Sequence, residues 1–176
     1  MITSDLKAQL MSKQTVIGSF ALTSLVIASY VCASPVSPID EMLEAVKARN
    51  EKSFLQTKSV IEKAEKPVGG EAEKAKSLYE QAMAAYKNQD FATAIDLFTK
   101  ASASDPAHSR AATYLGMAQL KANNAVAAEL ALRRALVLEP NNSQAWMYLG
   151  DALAIQTKTD HAASSYYLAW YFGQNQ

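Results

Sequence analysis

Apolar and polar positions are arranged in three different ways along the chain. Thr15 to Ala33 is a run without a charged side chain. From Ile39 to Lys66 the apolar residues fall on a thin helical stripe, Leu43 and Val46 first, Phe54 and Ile61 later, with the polar stretch Ala48 to Ser53 between them. Asp40 and Glu41 load the first turn with negative charge that complements the helix dipole, and no Gly or Pro intervenes before Pro67, so one continuous helix is predicted. Heptads traced through Leu43, Val46, Asn50, Ser53, Thr57, Val60 and Ala64 leave polar residues in the seam, too many for a coiled coil. Residues 34–66 therefore read as a solvated helical stalk or spacer. The alternative is a helix that lays Leu43, Val46, Phe54 and Ile61 on the neighbouring domain. Residues 67–70, Pro67-Val68-Gly69-Gly70, read as a linker, because two glycines after a proline break a helix.

Beyond Glu71 the helical pattern itself repeats, at an interval of 34 residues. Ala94, Ala128 and Ala162 share one register; so do Ala101, Ala135 and Ala169, and Phe98, Leu132 and Tyr166. Leu115 and Leu149, Gly116 and Gly150, and Pro106 and Pro140 pair off in the same way. Small residues at such positions let two antiparallel helices approach closely, and Trp146, Leu149, Tyr166 and Leu132 fill the volume around the contact. Pro106 and Pro140 lack the N–H that would prolong the preceding helix. Asp90 and Asn124 stand where second helices begin and are N-cap candidates. Six helices are predicted near 72–88, 91–104, 109–122, 125–138, 143–156 and 159–172.

This unit resembles the tetratricopeptide repeat, most closely in the third copy with Trp146, Leu149, Gly150, Leu153, Ala162, Tyr166 and Ala169. The resemblance implies an all-α fold, a short right-handed α-solenoid of three helix-turn-helix repeats preceded by the stalk. The repeats fall at about 75–108, 109–142 and 143–176 within a domain of residues 71–176. It also implies that the first helix of each unit lines a concave groove for a protein or peptide partner. Tyr79, Met83, Tyr86 and Lys87, with Glu80, then face the groove from the first unit. Arg110, Tyr114, Met117 and Lys121, with Thr113 and Leu120, do so from the second, and Met147, Tyr148 and Asp151, with Ile155, from the third. Tyrosine offers an apolar body with a polar tip and methionine adapts its shape, a combination suited to an amphipathic peptide. Several of these side chains, Leu120 and Tyr86 above all, also suit plain core filling. Co-chaperones with this repeat grip a terminal carboxylate through Lys and Asn side chains. At those positions this chain has Tyr79, Met83, Tyr114, Gln144 and Tyr148, so such a clamp is not expected.

Two departures from the pattern carry consequences. Ser102 and Ser104 stand where the second unit has Leu136 and Leu138, so the joint between units one and two reads as the weaker one. The third unit has Trp170 and Phe172 at those positions, flanked by Tyr167 and Tyr171, yet no helix follows it in sequence. An apolar surface of this kind needs a cover. A homodimer through the last helices is the first expectation, the stalk folding back the second, and a partner protein the third.

Composition narrows the functional classes. Seventeen basic residues balance seventeen acidic ones, which leaves no footprint for a nucleic acid. No Gly-rich phosphate loop, H-E-x-x-H, C-x-x-C or G-x-S-x-G is present, so no enzyme activity, metal or cofactor is expected. His108 and His161 read as solvated turn residues, and Asn141-Asn142-Ser143 forms an N-glycosylation sequon in a turn. The uncharged run, with Lys7 and Lys13 before it and Val31-Cys32-Ala33 at its end, reads as an export signal over residues 1–33 cut after Ala33. Export to the periplasm is the expectation, and removal of the signal would remove the only cysteine. A retained anchor through residues 15–33 is the alternative, and would be the chain's one contact with a membrane.

Overall fold

The structure is a computed structural model that describes residues 37–174, and the signal or anchor segment read at residues 1–33 lies outside the described residues. The described residues form eight α-helices and no strand. These are α1 (Pro38–Lys47), α2 (Glu51–Lys63), α3 (Ala72–Lys87), α4 (Phe91–Ser104), α5 (Ser109–Lys121), α6 (Ala125–Leu138), α7 (Ser143–Ile155) and α8 (Thr159–Gly173). Among the described residues no helix is long and apolar enough to cross a membrane.

Helices α3 to α8 make three antiparallel pairs, and their ends match the 34-residue pattern closely. Close approach within a pair depends on glycine where the sequence places it: a Cβ on Gly116 would lie 2.5 Å from Leu132 Cγ, and one on Gly150 2.5 Å from the Tyr166 ring. Trp146 is fully buried, and its indole Nε1 donates to the Pro140 carbonyl at 2.8 Å, so the proline that ends α6 also anchors α7. Asp90 caps α4 by accepting from the Thr93 N–H at 3.1 Å. Asn124 occupies the equivalent position of α6 but makes no side-chain cap bond.

The turn inside each pair has one geometry. Gln89, Asn123 and Thr157 adopt φ of 61°, 59° and 60°, and the residue after each donates its N–H five residues back, as in Asp90 to Ala85 at 3.0 Å. This left-handed ending satisfies carbonyls that the helix itself leaves free. Arg49 does the same at φ 52°, with Asn50 N–H bonded to the Ala45 carbonyl at 2.9 Å.

That fourth turn corrects the reading of residues 39–66 as one solvated helix. The segment is a hairpin, with α1 and α2 joined at the polar stretch that thins the apolar stripe, and each arm has its own buried face. Ile39, Met42 and Leu43 are at most 1% exposed and share a core with Leu136, Leu168 and Phe172. Helix α1 packs on α6 and α8, the second helices of the last two repeats. From α2, Phe54 meets Tyr171 edge-on with ring centroids 5.3 Å apart, and Lys58 lies over the Phe172 ring.

Charged contacts hold the hairpin in register. Arg133 on α6 bonds Asp40 Oδ1 at 2.6 Å, the Ser37 hydroxyl at 3.3 Å and Glu129 Oε1 at 2.9 Å. Glu129 in turn accepts from Gln156 at 2.7 Å and Lys158 at 2.9 Å. Burial pushes the Asp40 carboxyl upward, but the Arg133 charge and the Ser37 and Arg133 hydrogen bonds outweigh it and hold the group below the ordinary range. His161 is not a solvated turn residue: its Nε2 lies 2.6 Å from Glu44 Oε1, and Lys47 pairs with Asp160 at 3.0 Å.

The hairpin covers part of the last helix in the way of the second expectation, the stalk folding back. Phe172 is 5% exposed beneath it, while Tyr167 at 49% and Trp170 at 57% stay open. Residues 67–70 are a docked strap, since the Gly70 N–H donates to Asp105 at 3.2 Å and the Glu71 N–H to the Ser104 carbonyl at 2.8 Å. A Cβ on Gly70 would sit 2.1 Å from that carbonyl, which makes glycine necessary there.

Candidate functional site

The first helices α3, α5 and α7 carry the residues read as groove-lining, and the structure divides them by depth. Met147 at 42% and Ile155 at 61% are exposed, as are Lys87, Arg110 and Lys121. Tyr79, Met83, Tyr86, Tyr114, Tyr148 and Asp151 are half-buried. Met117, at 7%, belongs to the floor and not to the open surface.

The tyrosines form a connected set. Tyr114 on α5 lies 5.7 Å from Tyr79 and 6.3 Å from Tyr86, both nearly perpendicular to it, and stacks on Phe98 at 5.8 Å. Offset and edge-to-face arrangements of this kind are the favourable ones for aromatic rings. The cluster fills the joint between units one and two, where Ser102 contributes a buried hydroxyl with no hydrogen-bond partner. Arg134 adds a second tie by donating to the Ser102 carbonyl at 3.1 Å. Tyr79, Tyr86 and Tyr114 therefore serve the fold as well as the groove surface.

His108 went unrecognised in the sequence as part of this arrangement. Its Nδ1 accepts from the Ala111 N–H at 3.1 Å, capping α5, and its ring lies 5.2 Å from Tyr79. A histidine at an N-cap gives little signal, because Ser, Thr, Asp and Asn dominate that position.

Farther along, a recess of about 340 Å³ opens between α5 and α7. Met117, Leu120, Tyr148 and Ile155 give it an apolar lining, with Lys121 and Asp151 also on its wall. Tyr166 crosses over from α8 and donates its hydroxyl to Asp151 Oδ1 at 2.8 Å.

Burial moves four of these phenols further from ionisation than an ordinary tyrosine. Burial, followed by the Tyr114 hydroxyl, pushes Tyr79 up to about 12, and burial with Asp151 does the same to Tyr166. Burial also raises Tyr86, with Tyr148 and Tyr114 adding to it, and raises Tyr148, with Asp151 adding to it. At neutral pH the groove therefore presents hydroxyl donors on apolar rings. No cluster of His, Cys, Asp and Glu able to hold a metal occurs among the described residues.

A stack of helix pairs with left-handed turns at fixed intervals and a first-helix concave face defines an α-solenoid of the repeat type. The tetratricopeptide repeat family model matches residues 79–143 and 126–176, more than half of the chain, and the chain belongs to that family. No curated protein matches it. Among solved structures it is similar to the first repeat domain of Spaghetti (RPAP3) bound to the HSP90 peptide SRMEEVD, with 23% identity and a TM-score of 0.59 over 62% of this chain and 87% of that one. The Yersinia enterocolitica type III secretion translocator chaperone SycD is similar at 18% identity and a TM-score of 0.57, over 62% of this chain and 87% of that one. MamA is similar at 14% identity and a TM-score of 0.56, over 91% of this chain and 98% of that one. At such identities the likeness is one of fold.

Proposed function

We propose that the protein is a non-enzymatic scaffold or assembly factor that holds a segment of a partner polypeptide in the concave groove. The observation that carries this is the combination of half-buried tyrosines, an exposed Met147 and an apolar recess on one face, a surface that offers hydroxyl donors on apolar rings. Recognition by a terminal-carboxylate clamp does not fit, because Tyr79 and Tyr114 fill two of its positions and pack edge-on against each other. The Spaghetti repeat domain holds its HSP90 peptide with a similar fold, and this supports peptide holding without indicating the same ligand.

The test uses residues that face the groove without joining the aromatic core. A Met147→Glu, Tyr148→Ala variant is expected to weaken binding of a native partner segment by about 2 kcal/mol, roughly thirtyfold, with helicity unchanged. Unchanged affinity in the folded variant would remove the groove from the account.

We further propose export to the periplasm, with cleavage after Ala33, on the strength of the uncharged run that ends in Val31-Cys32-Ala33. Mass spectrometry of the native product is expected to find Ser34 at the amino terminus. A full-length chain in the membrane fraction would favour anchoring through residues 15–33 instead.

A further inference from the structure

We infer that the part of the last helix left open by the hairpin is one half of a two-fold interface, and that a second copy of this chain occupies it. The surface lies between α8 and the hairpin of α1 and α2, where a recess of about 670 Å³ has Ala45, Val46, Phe54 and Tyr171 on its apolar wall. An aromatic row leads out of it. Phe54 meets Tyr171, Tyr171 stacks on Tyr167 with ring centroids 6.4 Å apart, and Tyr167 meets Trp170 at 5.7 Å. Phe54 at the inner end is buried, whereas Tyr167 and Trp170 at the outer end are exposed. The groove of α3, α5 and α7 contributes no residue to this patch, so the inference stands apart from peptide holding.

Shape and charge both favour a second copy as the occupant. A two-fold interface meets itself, so one patch must offer both a projecting group and the hollow that receives it. Here the exposed Trp170 stands beside the recess, whose volume is that of cavities enclosing whole small molecules and is ample for an indole. The rim carries both signs of charge. Lys47 and Asp160 already pair with each other at 3.0 Å, which leaves Arg49 and Glu51, both exposed and without an ion pair among the described residues. A strongly charged partner of either sign would meet one of these as a like charge. In a two-fold pair Arg49 of one copy faces Glu51 of the other, and the symmetry supplies the reciprocal contact. Tryptophan, tyrosine and arginine are also the side chains that dominate binding energy at the centre of an interface, and the patch presents all three.

Sedimentation and tryptophan fluorescence of the full-length chain test this together. The chain has two tryptophans and Trp146 is fully buried, so an emission that shifts to the blue as concentration rises reports on Trp170. A dimer is expected, with the shift following its formation. Trp170→Lys is expected to raise the dissociation constant at least about tenfold while keeping the circular dichroism spectrum. Arg49→Glu and Glu51→Arg are each expected to stay monomeric alone, where the wild type pairs, and to pair with one another when mixed. Recovery on mixing separates a broken contact from a damaged fold. A wild type that stays monomeric at high micromolar concentration would overturn the inference, and blue-shifted Trp170 emission in that monomer would assign the patch to residues 1–36 of the same chain. A dimer that withstands all three substitutions would place the interface elsewhere and overturn it as well.

Discussion

Replacing Leu43 with aspartate is expected to lower stability by about 4 kcal/mol, a large part of what holds a domain of this size. Leu43 is fully buried between α1 and the second helices of the last two repeats, together with Met42 and Ile39. The substitution removes the buried leucyl group and puts an unpaired carboxylate among Leu136, Leu168 and Phe172. The nearest charged ties, Arg133 with Asp40 and His161 with Glu44, are already engaged and cannot neutralise it. Urea unfolding followed by circular dichroism should show the lower midpoint, and amide exchange should accelerate first in α8, whose Phe172 loses its cover. On a solvated stalk the same change would move stability by no more than about 0.5 kcal/mol, so an unmoved midpoint would contradict the docked hairpin.

Tyr114→Ala is expected to cost about 3 kcal/mol and to loosen the first repeat from the second. Truncating a large aromatic in a core costs about 3–5 kcal/mol, and half-burial places Tyr114 at the lower end. Its ring packs against Tyr79, Tyr86 and Phe98 at once. With Ser102 and Ser104 where the second unit has leucines, the joint leans on the cluster that Tyr114 shares with Phe98, Met83, Leu97 and Leu115. Tyr148→Ala, at the same register one repeat later, opens no such cluster and should cost about 1 kcal/mol or less. Paired unfolding curves compare the two. Equal losses would show that Tyr114 is a groove residue of the same kind as Tyr148 and has no special part in the joint.

The contrast between these tyrosines marks what the sequence could and could not convey. The solenoid was legible because contact between paired helices demands small residues at Gly116, Gly150, Ala128 and Ala162, and that demand recurs with every repeat. Register then placed Tyr79, Tyr114 and Tyr148 on one face. Depth did not follow from register, since Tyr114 is drawn inward by Phe98 while Met117 sinks into the floor. The hairpin was illegible for a local reason. Its left-handed turn residue is Arg49, where glycine or asparagine would have announced a helix end, and Gln89 and Thr157 disguise their turns in the same way. Its docking was legible only as an alternative, through the stripe of Leu43, Phe54 and Ile61, because the tie that fixes it joins Arg133 to Asp40, 93 residues apart, and the 34-residue pattern does not reach so far. The docked pair covers Phe172 of the last helix from a position in the chain that precedes the first repeat.

Site-specific photo-crosslinking measures the central claim most directly. A benzophenone amino acid is placed at Tyr148, on the concave face, and in a second protein at Leu130, which is 72% exposed on the second helix of unit two. The account predicts that a partner polypeptide crosslinks from Tyr148 and that excess unlabelled partner segment abolishes the product, while Leu130 gives none. Crosslinking from Leu130 with none from Tyr148 would place the partner on the outer face and contradict the account.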